Sequence, residues 1–305
     1  MNNKGDGGRT FLVVKGEEWM AKKGIAWAEA ELEDYYKVFN EKNRLFEGVG
    51  KLELARTQEI IMRYLKSAPA VVYDIGGAAG VYSLWLARKG YTVHLIDPVP
   101  AHVDQANQES KRQSHYPITS CRVGDARRLS FPANSADALL FLGPMYHLNE
   151  RQQRQIALKE AFRVLRPGGA IFVAAISRFA SVLDGLIHTF LDDEIFVEIV
   201  KQDLADGQHR NPTVNPQYFT KAIFHHPDQL CAEIEQACLH CETILPVESI
   251  GGLLQNFDAH WNNRERRSRL LEVVRWIETE PALLGATQHL LAVAKKPNSE
   301  SRLER

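Results

Sequence analysis

Cysteine is scarce in this chain: four among 305 residues, at Cys121, Cys231, Cys238 and Cys241. Cys238-Leu239-His240-Cys241 is a lone CxxC, with no second pair to complete a four-ligand zinc site. Cys231 and Cys238 stand seven apart on an expected helix with Ile234 between them, the spacing of a buried stripe, so reduced core thiols and no metal are expected. No apolar run approaches the roughly 20 residues that span a bilayer, and Met1–Thr10 is polar and glycine-rich, unlike a signal peptide. Charge of one sign is missing too. Lysine and arginine number 37 against 38 carboxylates, and a net charge of −1 offers no handle for nucleic acid or an anionic membrane. These absences leave a cytoplasmic protein that handles a small molecule as the expectation, with its oligomeric state open.

What is present is organised around Val71-Val72-Tyr73-Asp74-Ile75-Gly76-Gly77-Ala78-Ala79-Gly80 and the apolar helical period from Val81 to Gly90. A β-branched run that stops in glycines and resumes as a helix reads as buried strand, tight turn and helix. Such a turn lets the backbone pass close under a ligand, and the helix N-terminus presents unpaired N–H groups. A second strand, Tyr91–Ile96, ends in Asp97. An acid about 20 positions after the glycines, at a strand end, is placed to accept hydrogen bonds from ribose hydroxyls, so an adenosine-containing ligand is expected.

Around this unit the chain alternates. Residues 1 to about 15 read as disordered. From Glu17 an amphipathic pattern carrying Trp19, Met20, Trp27, Tyr35, Tyr36 and Phe39 predicts one or two helices that either pack on the core or close over the ligand as a lid. A helix over Leu52–Lys66 precedes the first strand. Later strands are expected at Ile118–Val123, Asp137–Leu142, Ala170–Ile176, Glu242–Val247 and His289–Ala294, with helices at Ala101–Ser114, Glu150–Leu165, Pro227–Leu239 and Arg264–Glu278. This predicts a doubly wound, mostly parallel seven-stranded Rossmann-like sheet whose ligands lie beyond the carboxyl ends of the strands. The domains expected are N-terminal helices (1–66), a cofactor-binding core (67–176), a helical substrate cap (177–225), the rest of the core with a helical insertion (226–296) and a disordered tail (297–305).

The ordered set resembles the class I S-adenosylmethionine-dependent methyltransferase family, of the bacterial small-molecule type. Asp74-Ile75-Gly76-Gly77-Ala78-Ala79-Gly80 is similar to its acidic-x-Gly-x-Gly-x-Gly loop, Asp97 to its ribose-binding acid, and Gly124-Asp125-Ala126 to the place where an acid meets the adenine amino group. Val164-Leu165-Arg166-Pro167-Gly168-Gly169 resembles its bend into the fifth strand. The resemblance implies S-adenosylmethionine as cofactor, held by Asp74, Gly76, Gly77, Gly80, Asp97, Asp125, Ala126 and Gly143, and transfer of its methyl group to a small molecule. Two other uses of that cofactor stay open, non-catalytic binding and intramolecular cyclisation. A nicotinamide fingerprint fails, because Gly76-Gly77-Ala78-Ala79-Gly80-Val81 lacks the later glycines of Gly-x-Gly-x-x-Gly. Ala78 departs from the family at its middle glycine, and its Cβ calls for an ordinary backbone region there.

Methyl transfer asks the protein for alignment, dehydration and, where the acceptor bears a proton, a base. Tyr146 and His147, just past the fourth strand, are the catalytic candidates. His147 either takes a proton or shapes the loop through a backbone hydrogen bond, and Tyr146 orients the substrate or offers its ring to the methyl cation. In the cap, Arg178, His209, Arg210 and Tyr218 are the substrate-binding candidates, with Asn211, His225 and His226 nearby, a set suited to a carboxylate or another anionic group.

Overall fold

The computed structural model describes residues 41–213 and 215–298. The N-terminal aromatic helices expected before Asn40, and the tail after Asn298, lie outside the described residues. In chain order the elements are α1 (Glu41–Arg44), α2 (Gly50–Tyr64), β1 (Val71–Ile75), α3 (Val81–Arg88), β2 (Thr92–Asp97), α4 (Pro100–Arg112), β3 (Ser120–Val123), β4 (Ala136–Phe141), α5 (Pro144–His147), α6 (Arg151–Val164) and β5 (Leu165–Ser177). There follow α7 (Ala180–Ile187), α8 (Glu194–Asp206), β6 (Gln208–His209), β7 (Ala222–His225), α9 (Pro227–Gln236), β8 (His240–Pro246), α10 (Phe257–Trp261), α11 (Arg264–Ile277) and β9 (His289–Lys295).

Strands β3, β2, β1, β4 and β5 lie side by side and parallel, and β9 continues the sheet antiparallel to β5 and to β8. Alternation along each strand sends side chains to two cores. Tyr73, Ile75, Leu139, Phe141, Ile171 and Val173 meet α6 and α9 through Ala157, Leu158, Ala161, Leu230 and Ile234. Val72, Leu140, Phe172, Leu291 and Val293 meet α2, α3 and α4 through Ile60, Ile61, Leu86, Val103 and Ala106. Burial on both faces is why these strands read as nearly continuous apolar runs.

Two features depart from the sequence expectation. β5 begins at Leu165, because Arg166-Pro167-Gly168-Gly169 runs on as extended chain instead of standing apart as a breaker. The cap is not wholly helical: β6 and β7 form a small antiparallel pair, and β7 joins β5 in parallel at Ile176 and Ser177. At Ile176 the other edge of β5 is already taken by His289 of β9, so β7 occupies the β4 side, beyond the last β4 pair at Phe141 and Val173. The cap is thereby sewn onto the sheet directly above the end of β4.

The segment between β8 and β9 docks on α2 through charge. Arg56, fully buried, donates to Glu59 Oε2 (2.8 Å) and to Glu278, which also takes a fork from Arg63 at 2.5 and 2.9 Å. Arg275 reaches Glu59 at 2.7 Å from a half-exposed position. Removing one member of a buried ion pair strands the other, so Arg56→Ala should lose about 3–5 kcal/mol in urea denaturation. Arg275→Ala should lose about 1 kcal/mol or less. Equal losses would show that burial does not set the strength of this network.

Candidate functional site

The loop after β1 is fastened to its neighbour before it turns. Gly76 N–H donates to the Ile96 carbonyl at 2.7 Å. At Gly77 a Cβ would fall 2.8 Å from the Asp74 carboxyl group and from Leu95, so only glycine fits that approach. Gly80 caps α3 with φ +84°, the left-handed region where glycine carries no steric penalty. Ala78 corrects the expectation of an ordinary conformation, for its φ is +45°. The reason is a hydrogen bond: Ala78 N–H donates to Asp97 Oδ2 at 2.8 Å.

Asp97, buried at the end of β2, also accepts from Val99 N–H (2.9 Å) and faces the His102 Nδ1 (3.1 Å) through Oδ1. A carboxylate offers about four acceptor positions. With three used on the chain itself, Asp97 fastens the loop and keeps one direction for a ribose hydroxyl. His102 is a partner the sequence reading missed, although its place five residues after a strand-end acid was visible. Asp74 lies buried beneath the loop, accepting from Ser83 Oγ–H at 2.7 Å through Oδ2, while Oδ1 has no partner among the described residues. Burial raises its pKa to about 7, against the Ser83 hydrogen bond and with a further push from the charge on Asp97. An orphaned acid oxygen under a glycine loop suits a ligand that brings a donor.

Beyond β3, Asp125 is engaged by its neighbour: Arg127 donates to it from the backbone N–H (2.8 Å) and from Nε (2.9 and 2.8 Å). The acid expected at the adenine amino group is thus charge-paired, with Ala126 packed on the core beside it. Beyond β4, Gly143 opens α5, and a Cβ there would lie 3.4 Å from the Gly76 carbonyl. The turns after β1 and β4 therefore touch. α5 carries Tyr146 and His147, their rings 4.6 Å apart, with the Phe219 ring of the cap 6.4 Å from His147. Tyr146 and Phe219 both pack against the cluster of Ile176, Ala180, Ala222 and Phe224. Burial pushes His147 down to about 4 despite the negative charge of Asp97, which leaves it a neutral imidazole at pH 7.

The structure does not bring the cap candidates together over a ligand. Arg178 spends its guanidinium on the Phe224 carbonyl (3.1 Å) and Gln229 (2.6 Å), tying β5 to β7 and α9. His209 sits between Asp203 (2.8 Å) and the Tyr218 carbonyl (2.7 Å) and stacks on Phe224 at 4.6 Å. Tyr218 donates its hydroxyl to Asp193 at 2.8 Å, and Arg210 pairs with Gln208 at the surface. These side chains hold the cap in shape. A polar group that the sequence reading missed lies instead at the start of β9, beside the end of β5, where Glu53, Glu248 and His289 place ligand-capable atoms within 4.8 Å of one another. No local pattern announces it, since its members come from α2, the turn after β8 and the start of β9.

Residues 73–173 match the family model described as a methyltransferase domain. They span the glycine loop, Asp97, Asp125 and the turn after β4. This segment is a methyltransferase domain. The chain is 31% identical over 121 residues to the methyltransferase GfsG of Streptomyces halstedii, covering 39% of this chain and 42% of that one. It is 31% identical over 163 residues to the ubiquinone/menaquinone biosynthesis C-methyltransferase UbiE of Chromobacterium violaceum, covering 52% and 61%. The alignments thus span about half the length of these relatives. Among solved structures, a methyltransferase of Methanosarcina mazei described as S-adenosylmethionine-dependent aligns over 79% of this chain and 98% of its own, with TM-score 0.53 and 17% identity. The [4+2]-cyclase SpnF aligns over 80% and 81%, with TM-score 0.50 and 18% identity. At such identity these two show the fold alone.

The raised pKa of Asp74 has a consequence for stability. Unfolded, the carboxyl group loses its proton near its ordinary value of 3.8; folded, it keeps it to about 7. The folded state binds more protons between those values, so stability falls as pH rises through that window. Asp74→Asn should remove this slope and make the unliganded variant more stable than the parent at pH 8 but not at pH 4. Urea titrations at the two pH values check it, and a pH-independent difference would mean that Asp74 ionises normally.

Proposed function

We propose that the protein transfers a methyl group from S-adenosylmethionine to a small-molecule acceptor held between the ends of β4 and β5 and the 177–225 cap. The observation that carries this reading is the glycine loop pinned by Asp97 and met from the other side by the Gly143 turn, a cradle with one acceptor direction left at its floor. Asp74, Gly76, Gly77 and Gly80 would line the amino-acid end of the cofactor, Asp97 the ribose, and Asp125 with Ala126 the adenine. When bound, the cofactor supplies a methyl group already activated on a sulfonium centre.

The chain's task is then alignment and proton handling. Tyr146 and His147 stand on the turn beside the cradle. As a neutral imidazole, His147 accepts a proton from a hydroxyl or amine acceptor, and Tyr146 orients that acceptor against the ring. Arg178, His209 and Tyr218 serve by keeping the cap's inner wall fixed; Arg210, at the surface, is left to contact parts of the acceptor that reach outward. A small acceptor is supported by the hairpin joined to β5 beside the end of β4, and by a net charge of −1, which gives no general attraction for a polyanion.

Calorimetry on the full chain should show binding of S-adenosylhomocysteine, weakened by roughly 1.5–3 kcal/mol in Asp97→Ala, since hydrogen bonds to an ionised acceptor are lost along with the fastening of the loop. Folded protein that gives no binding heat would falsify the reading. With labelled S-adenosylmethionine and a metabolite extract, His147→Ala should lower methyl transfer by about 10²–10⁴-fold. The parent rate should show no inflection near pH 6.5, because His147 is already neutral there. An inflection at that pH assigns proton transfer to another group.

A further inference from the structure

Strand order fixes which way the ligand extends. With ribose and adenine over β2 and β3, the reactive end points across β1 and β4 toward β5 and β9. His289 opens β9 there, paired with Ile176 of β5. Its Nδ1 lies 2.6 Å from Glu248 Oε1. The second oxygen of Glu248 accepts from Thr287 Oγ1–H (2.9 Å) and from the backbone N–H of His289 (3.1 Å). Glu53, whose Oε2 is 3.7 Å from the same ring nitrogen, is held through both oxygens by Arg44.

These contacts decide what the cluster can bind. Glu53, Glu248 and His289 have the composition of a metal site, but a cation would have to displace Thr287, a backbone N–H and the Arg44 fork from the two carboxylates. The carboxylates are spent on holding the ring. What remains is His289 Nε2, which has no hydrogen-bond partner among the described residues, on a side chain that is one-quarter exposed. A ring fixed through Nδ1 by a buried carboxylate presents Nε2 in a set direction.

We propose that His289, clamped by Glu248 and Glu53, recognises an ionised oxygen of the methyl acceptor, a carboxylate or phenolate, by donating from Nε2. This assignment rests on the methyl-transfer reading above and names the substrate class for it. The charge state agrees with the geometry. Burial alone would lower the pKa of His289, but the charges of Glu53 and Glu248 and the Glu248 hydrogen bond raise it to about 9, with Arg44 opposing. The other groups facing the cluster are Tyr82 of α3, interacting with Glu53 and Arg44, and Asp184 of α7 with His188 nearby. The ring is therefore a cation at pH 7 and a donor at both nitrogens. The sequence placed anion recognition in the cap; the side chains suited to it there are spent on the cap's own contacts, and the open donor is here.

The test uses the full chain saturated with S-adenosylhomocysteine, in EDTA, and the matched probes 4-fluorobenzoate and 4-fluorobenzamide followed by fluorine NMR. The benzoate should bind roughly tenfold more tightly than the amide at pH 7, as expected for a charge-assisted hydrogen bond. That preference should fade as pH rises through about 9, where the imidazolium loses its proton. His289→Gln should cut the preference to within about threefold while S-adenosylhomocysteine affinity stays near the parent's. Glu248→Gln, which keeps the ring, should move the loss of preference to lower pH. Equal binding of the two probes, no binding of either, or a preference that survives His289→Gln overturns the proposal. The same pair is measured on cofactor-free chain, so a parent that binds no S-adenosylhomocysteine overturns the methyl-transfer reading without deciding the anion site.

Discussion

The cofactor end of this structure depends on one hydrogen bond, from the backbone of Ala78 to the carboxylate of Asp97. A left-handed alanine costs about 1–2 kcal/mol, whereas a hydrogen bond to a charged acceptor contributes about 1.5–3 kcal/mol. The bond wins, and the loop keeps the path that a glycine would take without it. Everything stacked on the loop follows. Gly143 seats against Gly76, α5 starts from that seat, and Tyr146 and His147 are aimed from α5. Asp97 is thus a fastener first, and its remaining acceptor position is offered from a rigid mount.

Two histidines at the strand ends show how little residue type decides by itself. His147 is buried beside aromatic rings and stays neutral far below its usual range. His289 is wedged between two carboxylates and stays charged above it. One fold can therefore hold a neutral imidazole and a fixed imidazolium at the same pH, with the separation produced by neighbours alone.

The core was legible because its signals are local: apolar runs of strand length, glycines at a strand end, an acid at the next strand end. Val71–Gly80 and Asp97 carry their meaning within about thirty residues, the length of one βαβ unit. The cap was not legible in the same way. Arg178, His209 and Tyr218 are the residue types that bind anions, but Phe224, Gln229, Asp203 and Asp193 consume their hydrogen-bonding capacity once the chain folds. Strands β6 and β7 are too short for a period-2 pattern to register. His289 read as the first residue of a strand, because Glu53 and Glu248, which clamp its ring, stand far away along the chain. Ala78 failed for the opposite reason: the steric rule was sound, and an acceptor reaching in from β2 outweighed it.

The joining of β7 to β5 has a mechanical side. A lid on a hinge adapts to what it covers, but a hairpin that shares ladder hydrogen bonds with the central sheet has nearly the compliance of the sheet. On the proposed reading, selection among acceptors at that wall is by fixed shape. Changes of specificity in descendants of this protein would come through substitutions in the 210–221 connection between the two short strands, which can vary in length and side chain while the ladder beneath it stays intact.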